Sequence, residues 1–429
     1  MNLFRQSLSS IAVQIAGLVL GLGSGVIIAR WLGPSAKGTV TLYVMLAGAL
    51  ATAGNLGLGS ANVHLVGSGR MSASKAWAGS WWLSWIVGLG LAAGAFFAAP
   101  LVGLALRKPA DMNLLTAALA GVPLAILFDC QANLLRGLQL VGRFNLAMLS
   151  RHGSRLAALL ALVAWLGLGV PGAIWAVNLS LAAAAALSAF WLWRNRAVSL
   201  MPSLNDLGRL LKYGLKAMPG QLLQFLNYRL DLFILGAFWD SRQVGLYATA
   251  VFAAELIWHI PNGINIALFP AISAEPDPAK AAELSSRVMR HSVFWCLLLA
   301  VAMAAAAGPV VDLLYGKDFA PSAAAWRVLL LGAVAMVPAK LALNHLAGIG
   351  RPQYLSYAAL LGLAATATMD LALIPRWGMM GAAWASSAAY LLVALAGLYW
   401  LKRHGGAGLR KSLIIRAGDF NQYHRLLVS

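Results

Sequence analysis

Arg151 and Arg155 stand four residues apart in an apolar stretch, so a helix sets both guanidiniums on one face, with His152 beside them. Paired guanidiniums offer fixed charge and many N–H donors, the chemistry that holds a phosphate. The competing reading is that both side chains snorkel toward a headgroup layer. Lys340 is another cation inside an apolar run, and Pro338 nearby could kink it outward. Arg229 and Asp231, two residues apart, point about 200° from each other on a helix, so each needs a different partner. A structural ion pair across helices is the alternative.

Glu255 and His259 are spaced for one helical face and form a candidate proton-linked pair, because a desolvated carboxyl and an imidazole both titrate toward neutrality. Asp231 and Asp370 are further candidates for coupling. Asp129 and Asp370 are equally readable as groups that cancel a neighbouring cation. Gln221, Gln224 and Asn227 recur every three residues and predict a wet helix face leading to Arg229. Asn55 and Asn62, seven apart, predict a similar face. Trp258 and Tyr228 are read as core packing before sugar stacking. No Gly-rich phosphate loop with its lysine and no loop-borne Ser/His/Asp grouping is present, so catalysis is not expected. Cys130 and Cys296 have no partner spacing for a disulfide or a metal.

The elements that must position these groups are membrane helices. Of 429 residues, 61% are hydrophobic and 10% charged, with mean hydropathy +0.76, against about 25% charged in an average globular chain. Apolar stretches long enough for a hydrocarbon core of about 30 Å predict twelve spans. They fall at 8–30, 38–62, 77–105, 112–136, 146–168 and 171–193, then at 213–238, 244–271, 289–314, 323–347, 354–375 and 380–401. The first run is too long for a cleavable signal, and none is expected.

The two sets repeat. Gly38, Gly137, Arg143, Gly172 and Trp175 return as Gly245, Gly348, Arg351, Gly381 and Trp384, at an offset of about 210. Six spans per copy is an even number, so both halves enter from one side and are related by a pseudo-two-fold axis along the membrane normal. The expected organisation is an all-α polytopic bundle: a six-helix lobe at 1–200, a second at 201–402, and a basic cytoplasmic tail at 403–429. Most of the 32 Lys and Arg fall on the side that holds both termini, which predicts cytoplasmic termini. The net charge of +19 is dispersed over short loops, which points to anionic lipid headgroups and not to nucleic acid.

Several stretches resemble the polysaccharide transporter family, the Wzx-type flippases of the multidrug/oligosaccharidyl-lipid/polysaccharide (MOP) superfamily. Arg229, Leu230 and Asp231 followed by Gly245, Leu246 and Tyr247 are similar to that family's "RLD … GLY" signature. Phe269 and Pro270, then Leu314, Tyr315 and Gly316, then Gly348, Gly350, Arg351 and Pro352, then Pro375, Gly378, Gly381, Ala382 and Ala383 continue the likeness. Ala29, Arg30, Leu32, Gly33, Pro34 and Gly38 look like its first-span exit.

The resemblance implies a monomeric, non-enzymatic carrier in a bacterial inner membrane. It would flip undecaprenyl-pyrophosphate-linked oligosaccharide for O-antigen, capsule or exopolysaccharide assembly, alongside a polymerase and glycosyltransferases. No cofactor is implied beyond coupling to a proton or sodium gradient. Such a substrate needs a polar, cationic cleft, for which Arg151, Arg155, Arg229, Lys340, Asn55, Gln224 and Asn227 are the candidates. A cation antiporter of the related multidrug and toxin extrusion (MATE) class is the alternative.

Overall fold

In hydrocarbon no water satisfies a backbone amide, so a spanning chain must close its own hydrogen bonds, and helices do so within one segment. A computed structural model describes residues 2–100, 103, 111–199, 201–406 and 408–415, with 2–11 and Ala267 by backbone alone. All regular structure among them is helical: α1 (Asn2–Gly54), α2 (Leu58–Gly67), α3 (Ala73–Phe97), α4 (Met112–Gly137), α5 (Val141–Leu159), α6 (Gly169–Arg194) and α7 (Leu204–Phe238). These are followed by α8 (Ser241–Glu255), α9 (His259–Ala274), α10 (Pro278–Leu314), α11 (Ser322–Gly348), α12 (Gln353–His404) and the short α13 (Leu409–Leu413).

Nine helical stretches among the described residues are long and apolar enough to cross a membrane. Two are far longer than one crossing: Ala12–Gly54 with 43 residues and Gln353–His404 with 52. Each is broken at a glycine, Gly33 (φ 78°) and Gly378 (φ 57°), close to Pro34 and Pro375. A positive φ is open to glycine at no steric cost, and proline removes a ladder donor, so the helix stops there. The breaks fall where the sequence predicts the turns between spans one and two and between spans eleven and twelve. The chain is a multi-pass membrane protein.

Four boundaries differ from the sequence-based expectation. Span two does not run unbroken through 38–62: the helix stops at Gly54 and resumes at Leu58, with Leu56 (φ 50°) and Gly57 (φ 71°) both left-handed. Span seven begins at Leu204 and not 213, because Ser203 caps the helix: its hydroxyl accepts from Asp206 N at 3.1 Å and donates to the Asp206 carboxylate at 2.6 Å. Span eight is interrupted by a 3-10 turn at Leu256–Trp258. Span five ends in a π turn, Leu160–Trp165. The end of span three at 105 and the tail cations Arg416 and Arg425 lie outside the described residues.

The chain divides into two compact units, Met1–Gly245 with Leu314–Asp318, and Leu246–Leu313 with Phe319–Ser429. In the first, Leu58, Leu115, Ile126, Leu134 and Leu135 form the centre of an apolar core with Trp77 and Leu210.

Each unit uses its glycines for the same packing jobs. In the first, a Cβ on Gly137 would lie 2.9 Å from Asn62 O; in the second, one on Gly348 would lie 2.8 Å from the Ile272 side chain. Gly121 faces Asn178, whose amide donates to Ala117 O at 2.6 Å, and Gly332 faces Ser387, whose hydroxyl donates to Val328 O at 2.8 Å. These residues correspond at the repeat offset, so the duplication extends to individual hydrogen bonds. Within the first unit Gly38 and Gly245 cross reciprocally: a Cβ on Gly38 would lie 1.7 Å from Ser241 O, and one on Gly245 would lie 2.0 Å from Pro34 O.

Backbone against backbone leaves nothing flexible to yield. Gly38→Ala and Gly245→Ala should each destabilise the folded protein by about 1–3 kcal/mol, read as a lower melting temperature in detergent. Gly90→Ala, with nothing within 4 Å of the added carbon, should show no loss.

Candidate functional site

The first unit contains a cavity of about 430 Å³ lined by α1, α2, α4, α5 and α7. Its polar wall is built around the break in span two. Asn55 sits at the break, where the helical ladder has lost its regular partners, and its Oδ1 accepts from Gly59 N at 3.3 Å in place of a backbone carbonyl. That fixes the orientation of the amide, and Nδ2 donates to the Asp129 carboxylate at 2.9 Å. Close backbone packing holds the break in place: a Cβ on Gly57 would lie 2.0 Å from Gly214 O.

Helix α4 presents Asp129, Asn133 and Arg136 on one face, spaced by four and three residues. Asn133 Nδ2 donates to Asp129 O at 3.0 Å, and Arg136 Nη1 donates to Asn133 Oδ1 at 3.3 Å. Helix α5 contributes Arg151, whose guanidinium lies 5.5 Å from the Phe128 ring centre. Helix α7 adds Gln221, bonded to Ser60 Oγ at 3.0 Å. Gly59 lets the wall close, since a Cβ there would lie 2.5 Å from Asp129 Oδ2 and 2.7 Å from Asn133 Nδ2.

Charge in this wall is unequal. Asp129 is electrostatically close to both Arg136 and Arg151, yet no ion pair is formed with either. Arg151 lines the cavity, whereas Arg155 is not a lining residue and its buried Nε has no hydrogen-bond partner among the described residues. Arg155 adds its field to that of Arg151, and it is close to Lys37 as well. Two guanidiniums in one cavity wall, Arg136 and Arg151, suit an anionic group with several oxygens.

The other sequence-selected residues are placed differently. Gln224 is exposed and Asn227 donates to Leu223 O at 2.9 Å, so of the expected wet stripe only Gln221 lines the cavity. Asn62 is not a lining residue: it is fully buried and bonded to Ser80 and to Cys130 O. The seven-residue spacing from Asn55 loses its meaning across the break. Arg229 and Asp231 lie outside the cavity, Arg229 donating to Tyr228 O at 3.0 Å and buried Asp231 accepting from Leu232 N at 2.7 Å.

In the second unit Lys340 Nζ stands 4.7 Å over the ring of Trp258, itself buried and bonded to Ala333 O. Glu255 and His259 are separated by the 3-10 turn, so the α-helical spacing that put them on one face does not hold. Asp370 is fully buried in α12. Asn133, Arg136, Ser60 and Thr52 are lining residues that the sequence reading passed over. The signal for two of them was the stripe through Asp129, Asn133 and Arg136.

Residues 27–324 match the family model described as "Polysaccharide biosynthesis protein". An uncharacterized membrane protein of Methanocaldococcus jannaschii is 24% identical over 219 residues, which are 49% of this chain and 43% of that protein, so the match spans under half of that relative's length. The fold is similar to an inward-facing multidrug resistance MATE family transporter of the MOP superfamily, with TM-score 0.75, 18% identity and coverage of 93% of this chain and 98% of that one. It is equally similar to the lipid II flippase MurJ in an inward closed conformation, with TM-score 0.77, 14% identity and coverage of 91% and 87%. The fold is therefore similar to that of these two transporters.

The contact at Gly59 can be probed alone. Gly59→Ala should push the Asp129 and Asn133 side chains out of place and destabilise the protein by about 1–3 kcal/mol. Asn133→Ala in the same background should recover part of the lost melting temperature by vacating one of the two clashing groups.

Proposed function

The chain belongs to the polysaccharide biosynthesis protein family, and we propose that it is a flippase for undecaprenyl-pyrophosphate-linked oligosaccharide. It would carry repeat units from the cytoplasmic to the outer leaflet of a bacterial inner membrane for cell-surface polysaccharide assembly. The observation that carries this reading is a cavity whose polar wall holds Arg136 and Arg151, with Arg155 one helical turn beyond Arg151 on the same helix. A diphosphate brings two negative groups and several acceptor oxygens, whereas a polyprenyl tail needs nothing from a polar cavity and can stay in lipid.

With both termini cytoplasmic, α5 enters the membrane at Val141 and Arg151 lies about 15 Å into it. That depth is near the middle of a hydrocarbon core of about 30 Å, where an alternating-access site would lie. Two six-helix lobes related by an axis along the membrane normal would expose such a site alternately to each side. The matched glycine packing of the two units supports that duplication. Energy coupling, where needed, would draw on Asp231, Glu255, His259 or Asp370. The MATE-type alternative predicts a site for cations, and two arginines against one aspartate in the cavity wall disfavour it.

Leaflet-resolved transport of a defined lipid-linked glycan in proteoliposomes is the direct test. Arg151→Gln and Arg155→Gln should each slow flipping at least about tenfold, the cost of one lost charge-assisted contact of about 1.5–3 kcal/mol, with abundance and melting temperature unchanged. Wild-type rates in the double variant would overturn the reading.

A further inference from the structure

Asp129 places a negative charge in a wall whose proposed task is to attract one. Its geometry is that of a carboxylate kept near two cations but off both. Asn55 donates to it at 2.9 Å, and Asn55 is itself locked by the Gly59 amide, so the carboxylate position is set by the break in span two. Arg136 is turned to Asn133 instead, at 3.3 Å, and Arg151 to the Phe128 ring. A direct pair with either arginine would consume donors that a ligand needs. The amides prevent that closure while leaving the charge in range.

We propose that Asp129 is a resident counter-anion. It balances Arg136 and Arg151 when the site is empty and opposes the ligand's negative charge when it is full, thereby limiting affinity and speeding release. The inference rests on the flippase reading, in which the ligand is a diphosphate. A carrier must release what it binds, and two uncompensated guanidiniums in a partly dehydrated cavity would retain a diphosphate too long. One carboxylate at fixed distance corrects this without blocking entry. Asp129 is thus a positioning residue for charge, distinct from the arginines that touch the ligand.

The experiment is binding of undecaprenyl pyrophosphate, without glycan, to the full-length protein in nanodiscs at fixed salt, with association and dissociation rates recorded. Asp129→Asn keeps the shape and the acceptor for Asn55 and removes the charge. It should bind about tenfold tighter, mostly through slower dissociation, while Arg151→Gln binds at least tenfold more weakly. A variant damaged only in structure would not bind more tightly, so the direction of change separates the two causes.

Equal or weaker binding by Asp129→Asn, with Arg151→Gln still impaired, overturns the counter-anion role and leaves the flippase reading standing. Wild-type binding by Arg151→Gln overturns both. Should Asp129→Asn not be recovered folded, Asn55→Ala decides: it frees the carboxylate to pair with Arg151 and should weaken binding about threefold. Unchanged binding there overturns the proposal.

Discussion

A helix inside a membrane stops only where something other than water takes up the backbone groups it leaves behind. That constraint organises this molecule. At Gly33 and Gly378 the interruption falls at turns between crossings, next to prolines that have no donor to lose. At Asn55–Gly57 it falls inside a span, and a side-chain amide substitutes for the missing ladder. A carboxamide has two ends, so Asn55 Oδ1 on the Gly59 amide leaves Nδ2 free for Asp129. The local solution to a backbone problem thereby becomes the first polar group of the cavity. Gly57 and Gly214, with no side chains between their backbones, hold the break where it can do this.

Duplication explains much of the packing and makes the divergence informative. Gly121 and Gly332 each accept a polar residue of a later span, and that residue bonds a carbonyl one turn before the glycine, Ala117 or Val328. Such contacts answer a general need: in lipid, helix association relies on close approach and interhelical hydrogen bonds, so small residues persist at the crossings. The charged positions of the cavity wall are not all kept. Counting along the repeat, Asp129 and Asn133 correspond to Lys340 and Asn344. The amides are kept, but the acid is replaced by a base that stacks on Trp258. Packing was retained in both copies while chemistry was assigned separately to each.

How much of this was legible in the sequence follows from what period and composition encode. Apolar length marked the helices, and Gly–Pro clusters marked the turns at Gly33 and Gly378. The break at Asn55 was not legible, because Leu56 carries a positive φ that no residue type announces and Gly57 looks like one more small residue in an apolar run. For Glu255 and His259 spacing alone is a weak guide for a related reason: it argues for one face only if the intervening turn is α-helical, and here it is 3-10. Arg151 and Arg155 were readable from four-residue spacing. The stripe of Asp129, Asn133 and Arg136 was readable in the same way, but an acid beside an arginine in a bundle reads first as charge cancellation. Its true arrangement depends on Asn55, seventy-four residues away in sequence.

Placement of the charges also bears on what a site of this kind discriminates. The cavity's guanidiniums, Arg136 and Arg151, would recognise the charge of an anion and carry no information about a sugar attached beyond it. The rest of the cavity offers the neutral groups Ser60, Thr52, Asn133 and Gln221, of which Gln221 and Ser60 already bond each other. Short neutral donors and acceptors that satisfy one another hold a wet surface open without demanding one particular partner. In the proposed flippase, affinity for the linkage and tolerance toward the glycan would therefore come from different parts of the same wall, so changes in the neutral groups would alter which head group is accepted while Arg136 and Arg151 keep the shared anionic handle.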